Sequence, residues 1–164
     1  MGAELFTVER PGGAPGVIST MACPPGDAAL AGELALLRLT GVDVVLSLLM
    51  PEEELLLGVA EEERLAEESG LVFLRLPAPD MSVPDRAAGA AMAAALAGRL
   101  RAGEHVVVHC RAGIGRSSVA AALTLCALGL TPDEAVAAIS RARGFTVPET
   151  PDQRAFVDAV AALL

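Results

Sequence analysis

The chain contains no tryptophan, no tyrosine and no lysine. Aromatic side chains make up 2% of it, four phenylalanines in all, so any ligand pocket is built without a tyrosine or tryptophan wall. All twelve cationic residues are arginine; with the abundance of alanine and leucine, this looks like the bias of a G+C-rich bacterial genome. Aspartate and glutamate outnumber them, for a formal net charge of −9. Phosphate backbones and anionic membrane surfaces bind to basic faces, so nucleic-acid and membrane-surface partners are not expected.

Cysteine and histidine are also scarce. Three cysteines, Cys23, Cys110 and Cys126, form an odd set without paired spacing, which excludes a disulfide framework and points to a reducing compartment. The two histidines, His105 and His109, have no partners at metal-ligand spacing, so neither a metal nor another cofactor is expected. The apolar runs at 89–100 and 118–130 are too short and alanine-rich for a membrane span. Glu4 and Glu9 stand where a secretory leader carries basic residues, so the expected location is cytoplasmic.

What the chain does have is enough apolar character, 53% of 164 residues, to bury one core, so residues 1–164 read as one domain. Strand and helix patterns alternate. Strands are expected over 5–8, 17–21, 42–48, 71–76 and 106–109. Helices are expected from Asp27 to about Leu39, through the glutamate-rich region 51–69, and over 84–101, 117–128, 132–143 and 151–164. Thr131 with Glu134 makes a capping box, and Thr150 with Pro151 marks the last helix start. The acidic face of 51–69 reads as solvated surface. Strands 42–48 and 106–108 are apolar enough to be buried on both faces. Together these give an α/β fold with a central, mostly parallel sheet flanked by helices.

The run His109-Cys110-Arg111-Ala112-Gly113-Ile114-Gly115-Arg116-Ser117 lies between the buried strand and an alanine-rich helix. Small residues at Ala112, Gly113 and Gly115 let the backbone curl tightly, so that N–H groups of the loop and helix N-terminus converge on an anion. Arg116 can grip that anion with a bidentate fork. A free thiol titrates near 8.5, whereas one facing a helix N-terminus and a cation falls to roughly 3.5–7.5, so Cys110 is expected to be a thiolate nucleophile at neutral pH. Ser117 can donate a hydrogen bond to the sulfur. Read blandly, Cys110 is a small buried hydrophobe, which leaves Arg116 and the paired glycines unexplained.

The same run resembles the signature of the protein tyrosine phosphatase superfamily: His-Cys, five residues, then Arg and Ser or Thr. The resemblance extends from about residue 16 to the C-terminus and is strongest to the compact dual-specificity members, including bacterial and kinase-associated phosphatases, which Val44-Val45-Leu46-Ser47-Leu48-Leu49 followed by Glu52-Glu53-Glu54 also resembles. It implies a single-domain cysteine-phosphatase fold and a cysteinyl-phosphate intermediate. It further implies phosphate binding by Arg111, Ala112, Gly113, Ile114, Gly115 and Arg116, and that His109 supports the loop and tunes the thiolate through hydrogen bonds without touching substrate.

The resemblance also implies a general acid upstream. Asp80, in Pro79-Asp80-Met81-Ser82-Val83-Pro84, matches the acid loop, while Asp85 reads as a helix cap. Gln153 matches a glutamine that can orient the hydrolytic water, or sits merely in the first turn of the last helix. Without an aromatic recognition wall the pocket is expected to be shallow. It then admits a phosphorylated protein on serine, threonine or tyrosine, or a small phosphomonoester. Dual-specificity protein phosphatase is the first reading; a phosphoinositide or metabolite phosphatase and a non-catalytic phosphate-binding pseudophosphatase are the alternatives.

Overall fold

The two most apolar strands form the middle of the sheet. In the computed structural model, which describes residues 2–9 and 13–164, β3 (Val44–Ser47) and β5 (His105–His109) are paired in parallel. β2 (Val17–Met21) flanks β5 and β4 (Val72–Arg75) flanks β3, both in parallel, while the two-residue β1 (Phe6–Thr7) closes the edge antiparallel to β2. The order is β1-β2-β5-β3-β4. Each strand is shorter than or equal to its expected span, except β5, which begins one residue earlier at His105.

Alternation along β5 divides the core. Val106 and Val108 face a cluster with Ile18, Leu46, Leu96, Leu123 and Phe156, and Val107 faces another with Val45, Leu34, Leu37 and Phe73, as the period of two demands. The second cluster is covered by α1 (Leu30–Leu39) and α3 (Glu62–Glu68). The first is covered by α4 (Arg86–Arg101), α5 (Arg116–Ala127), α6 (Pro132–Arg143) and α7 (Pro151–Ala161). α5 is buried from Arg116 to Leu125, so the helix that opens at the cysteine loop is encased in the core.

Caps set the boundaries. The Asp85 carboxylate accepts from the Ala88 N–H at 2.9 Å, which starts α4 at Arg86 instead of Pro84. The expected helix at 27–39 begins as a 3-10 turn, Asp27–Ala29, and becomes α-helical at Leu30. The region 51–69 is not one helix but two, α2 (Pro51–Leu56) and α3, because Gly58 takes φ 72°, a left-handed conformation that ends a helix. Its acidic residues are not all solvated as expected: Glu54 and Glu62 are buried. Both lie at the carboxyl end of the parallel strands, where open α/β sheets place their ligands.

Candidate active site

Parallel register puts His109, the last residue of β5, beside Met21 of β2 and Ser47 of β3. The chain then leaves the sheet through Cys110 and re-enters regular structure at Arg116, with Gly115 as the N-cap of α5. Cys110 is 2% exposed, and its Sγ lies 3.4 Å from Ser117 Oγ, on the first turn of α5. The first N–H groups of a helix have no intrahelical partner, and those of α5 begin beside the sulfur.

The loop is held from outside. The Cys23 N–H donates to the Arg111 carbonyl at 3.1 Å, and Arg143 Nε donates to the Gly113 carbonyl at 3.2 Å. Arg143 itself stacks on two rings, Phe6 at 4.1 Å and Phe145 at 4.7 Å. Gly113 has φ 72°, and a Cβ there would lie 2.6 Å from the Met21 carbonyl, so only glycine closes this turn against β2. Arg111 and Ala112 are exposed, while Ile114 is half-buried.

Arg116 is 1% exposed and is the most heavily bonded side chain of the site. Nη1 and Nη2 donate to the two carboxylate oxygens of Glu53 at 2.7 and 2.8 Å. Nη1 also donates to the Ala78 carbonyl at 2.8 Å, and Nη2 to Asp80 Oδ1 at 3.1 Å. Burial works to lower the pKa of Arg116, but Glu53, the sulfur of Cys110 and Asp80 outweigh it and raise it. The Arg116 hydrogen bonds hold Glu53 below the usual carboxylate range. Arg116 Nε is buried with no hydrogen-bond partner, a donor that an anion above Cys110 would satisfy.

Asp80 comes to this cluster from the loop after β4. Its Oδ1 also accepts from the Met81 N–H at 3.0 Å, and Met81 is bent to φ 63°. Asp85 is turned into its helix cap. Gln153 is buried, and its Oε1 accepts from the N–H groups of Glu149 and Thr150 at 3.0 and 3.2 Å. Its Nε2 donates to the Ser82 carbonyl at 3.1 Å, so it ties the start of α7 to the Asp80 loop.

Behind the loop, His109 Nδ1 lies 3.2 Å from the Cys110 carbonyl oxygen and Nε2 lies 2.8 Å from Glu62 Oε1. Burial lowers the pKa of His109, but Glu62 more than offsets this and raises it. Burial pushes the other two thiols up, Cys23 to about 12 and Cys126 to about 11. Among the described residues no three His, Cys, Asp or Glu side chains are grouped to hold a metal, and no helix is long and apolar enough to cross a membrane.

Sequence reasoning therefore placed Cys110, Arg116, Asp80 and Ser117, which the structure brings together, and missed Glu53, Glu62 and Arg143. No local signal separates Glu53 and Glu62 from the surrounding glutamates. Only the fold shows that these two point inward.

Three solved structures share the fold. A kinase-associated phosphatase whose catalytic cysteine is replaced by serine superposes with a TM-score of 0.83 at 18% identity, covering 100% of this chain and 99% of that one. Tk-PTP in its active form gives 0.74 at 22% identity over 97% and 98% of the two chains. PTPMT1 in complex with PI(5)P gives 0.73 at 24% identity over 89% and 90%. A family model described as "polymorphic toxin system, DSP-PTPase phosphatase" matches residues 19–129. These residues span β2 to the end of α5 and so contain the cysteine loop, the Asp80 loop and both inward-facing glutamates; the chain belongs to this DSP-PTPase phosphatase family.

Proposed function

We propose that the chain is a cysteine-dependent phosphomonoester hydrolase acting as a dual-specificity protein phosphatase. The observation that carries this reading is the link Cys110–Arg116–Asp80: the nucleophile at the head of α5, the cation six residues on, and the carboxyl that touches that cation at 3.1 Å. A thiolate at Cys110 attacks phosphorus, and the S–P bond forms as the bond to the leaving oxygen breaks. Asp80 gives that oxygen its proton. Water then attacks the cysteinyl phosphate, Asp80 takes a proton from it, and the S–P bond breaks to release inorganic phosphate and restore the thiolate.

Arg116 and the backbone donors stabilise the equatorial oxygens, whose charge builds in the transition state. Ser117 Oγ, 3.4 Å from the sulfur, supports it as the leaving thiolate of the second step. A nucleophilic thiol in a chain whose cysteines are all free suits a reducing, cytoplasmic setting.

Turnover of p-nitrophenyl phosphate tests the reaction. Cys110→Ser is expected to retain phosphate binding and lose turnover; wild-type protein that binds phosphate without turnover would be a pseudophosphatase instead. A second reading, a phosphoinositide substrate, is favoured by exposed Arg111 at the loop and by the fold shared with PTPMT1, whose structure holds PI(5)P. A panel of phosphopeptides and phosphoinositides separates the two: kcat/KM highest on phosphopeptides supports the first, highest on lipid headgroups the second.

A further inference from the structure

The His109–Glu62 pair lies entirely inside the protein, 0% and 1% exposed. Its hydrogen-bond chemistry is restrictive. Nδ1 faces a backbone carbonyl, which only accepts, and Nε2 faces a carboxyl oxygen. A neutral imidazole donates from one nitrogen only. The carbonyl takes the Nδ1 proton, so Nε2 either donates to a carboxylate as part of an imidazolium or accepts from a carboxylic acid.

The resemblance already implies that His109 tunes the nucleophile; we propose that Glu62, 47 positions upstream, is the positioning residue that sets this tuning in this chain, by keeping the His109 ring doubly protonated behind Cys110. The proposal rests on Cys110 being that nucleophile. The charged groups near the pair agree in sign. Glu54 of α2, held by Arg75 of β4 at 3.0 Å, adds negative potential that favours a protonated ring, and Cys23 stays a neutral thiol. Glu62 Oε2 is buried with no hydrogen-bond partner, so the His109 ring at Oε1 is the hydrogen-bond partner through which this carboxyl acts. Against a well-packed apolar pair of the same shape such an ion pair adds little stability, although losing one charge of it is costly; what an apolar pair could not supply is charge control at Cys110.

The two carboxylates of the glutamate-rich segment thus take different tasks. Glu53 orients the cation that grips the substrate, and Glu62 acts through His109 on the sulfur. Neither is a catalytic residue, since neither touches substrate.

Two measurements test this. With only two histidines in the chain, their side-chain nitrogens give separate signals in an NMR spectrum of 15N-histidine-labelled wild-type protein. His105, bonded to Ser19 at 2.8 Å and lowered in pKa by burial, serves as the neutral reference. At pH 7.5 both nitrogens of His109 are expected in the protonated range; one bare nitrogen overturns the proposal. Glu62→Gln then keeps the shape while donating an N–H to Nε2, which enforces a neutral ring. The midpoint for iodoacetamide alkylation of Cys110 is expected to move up by roughly one pH unit, and the acid limb of kcat/KM for p-nitrophenyl phosphate to follow it. An unmoved midpoint in a folded variant overturns the proposal. If wild-type Cys110 itself showed no preferential alkylation and no turnover, the phosphatase reading would fall instead.

Discussion

Glu53 and Arg116 face each other with both carboxylate oxygens paired to both terminal nitrogens, at 2.7 and 2.8 Å. The fork that should grip phosphate is thus preset by a residue 63 positions earlier, brought into place because β3 runs beside β5 and α2 starts just past the end of β3. Bidentate pairing fixes the guanidinium plane as well as its position, and pre-set donors need no reorganisation as charge builds.

Removing that carboxylate leaves a buried cation with poorer compensation. Glu53→Gln is expected to lower kcat on p-nitrophenyl phosphate by about 10- to 100-fold, since one misdirected transition-state donor costs this order. Thermal stability should fall too, because a buried charge loses its partner. Steady-state kinetics with a melting curve checks both; unchanged kcat would show that the loop orients Arg116 unaided.

Arg116→Lys conserves charge and loses the fork. An ammonium cannot meet Glu53 with two parallel bonds and also reach the Ala78 carbonyl and Asp80, as Arg116 does. Phosphate affinity and kcat should both collapse, kcat by about 10³-fold or more. Vanadate inhibition and turnover measure the two losses separately.

Asp80 and Asp85 are five residues apart in one loop-helix junction, and their hydrogen bonds give them opposite tasks. Asp80→Asn should slow hydrolysis of an alkyl phosphate by about 10²- to 10⁴-fold, with a much smaller effect on p-nitrophenyl phosphate, whose leaving group needs little protonation. Asp85→Asn keeps a good cap and Asp85→Ala costs about 1 kcal/mol, neither changing kcat. Leaving-group dependence decides the matter: an alkyl phosphate rate untouched in Asp80→Asn would remove the acid role from Asp80.

Gln153 distinguishes a water-orienting residue from a structural tie. Its oxygen already accepts two backbone N–H groups and its nitrogen reaches Ser82. Gln153→Ala should therefore destabilise by about 1–3 kcal/mol through the unpaired groups. Lost tethering of the Asp80 loop should lower the rate of phosphoenzyme formation. Pre-steady-state bursts would reveal the contrary case, a slower second step only.

The sequence carried the site's chemistry where it is local and lost it where it is long-range. Cys110, Arg116 and Ser117 sit in one strand-loop-helix unit, so strand pattern, glycines and helix start locate them together. Asp80 was legible through the resemblance of Pro79-Asp80-Met81-Ser82-Val83-Pro84 to the family's acid loop, the prolines marking only a non-helical connection. Glu53 and Glu62 lie in a run of glutamates whose helical periodicity could not say that Gly58 breaks the run in two, turning one acidic residue toward Arg116 and another toward His109. The glutamates were read as solvated because charged residues are mostly exposed; paired partners from β5 and α5 reversed that.

Two pKa shifts bound the pH range of stability. Glu53 is held below its ordinary value by Arg116, so its contribution is present above the unfolded carboxylate pKa, near 4.5, and is lost as pH falls through the lower folded value. His109 is raised by Glu62. Its contribution is complete below the unfolded histidine pKa, near 6.5, and is lost as pH rises through the higher folded value. The two contributions coincide between about pH 5 and 6.5, Glu53 adding to the acid fall and His109 to the alkaline one; His105, lowered by burial, also loses its contribution as pH drops below 6.5, and the thiols Cys23 and Cys126, raised by burial, add to the fall at higher pH. Urea unfolding at stepped pH checks this. Glu53→Gln should flatten the acid fall alone and Glu62→Gln the alkaline fall alone; if either variant flattened the opposite limb, the assignment of that limb to its carboxylate would be wrong.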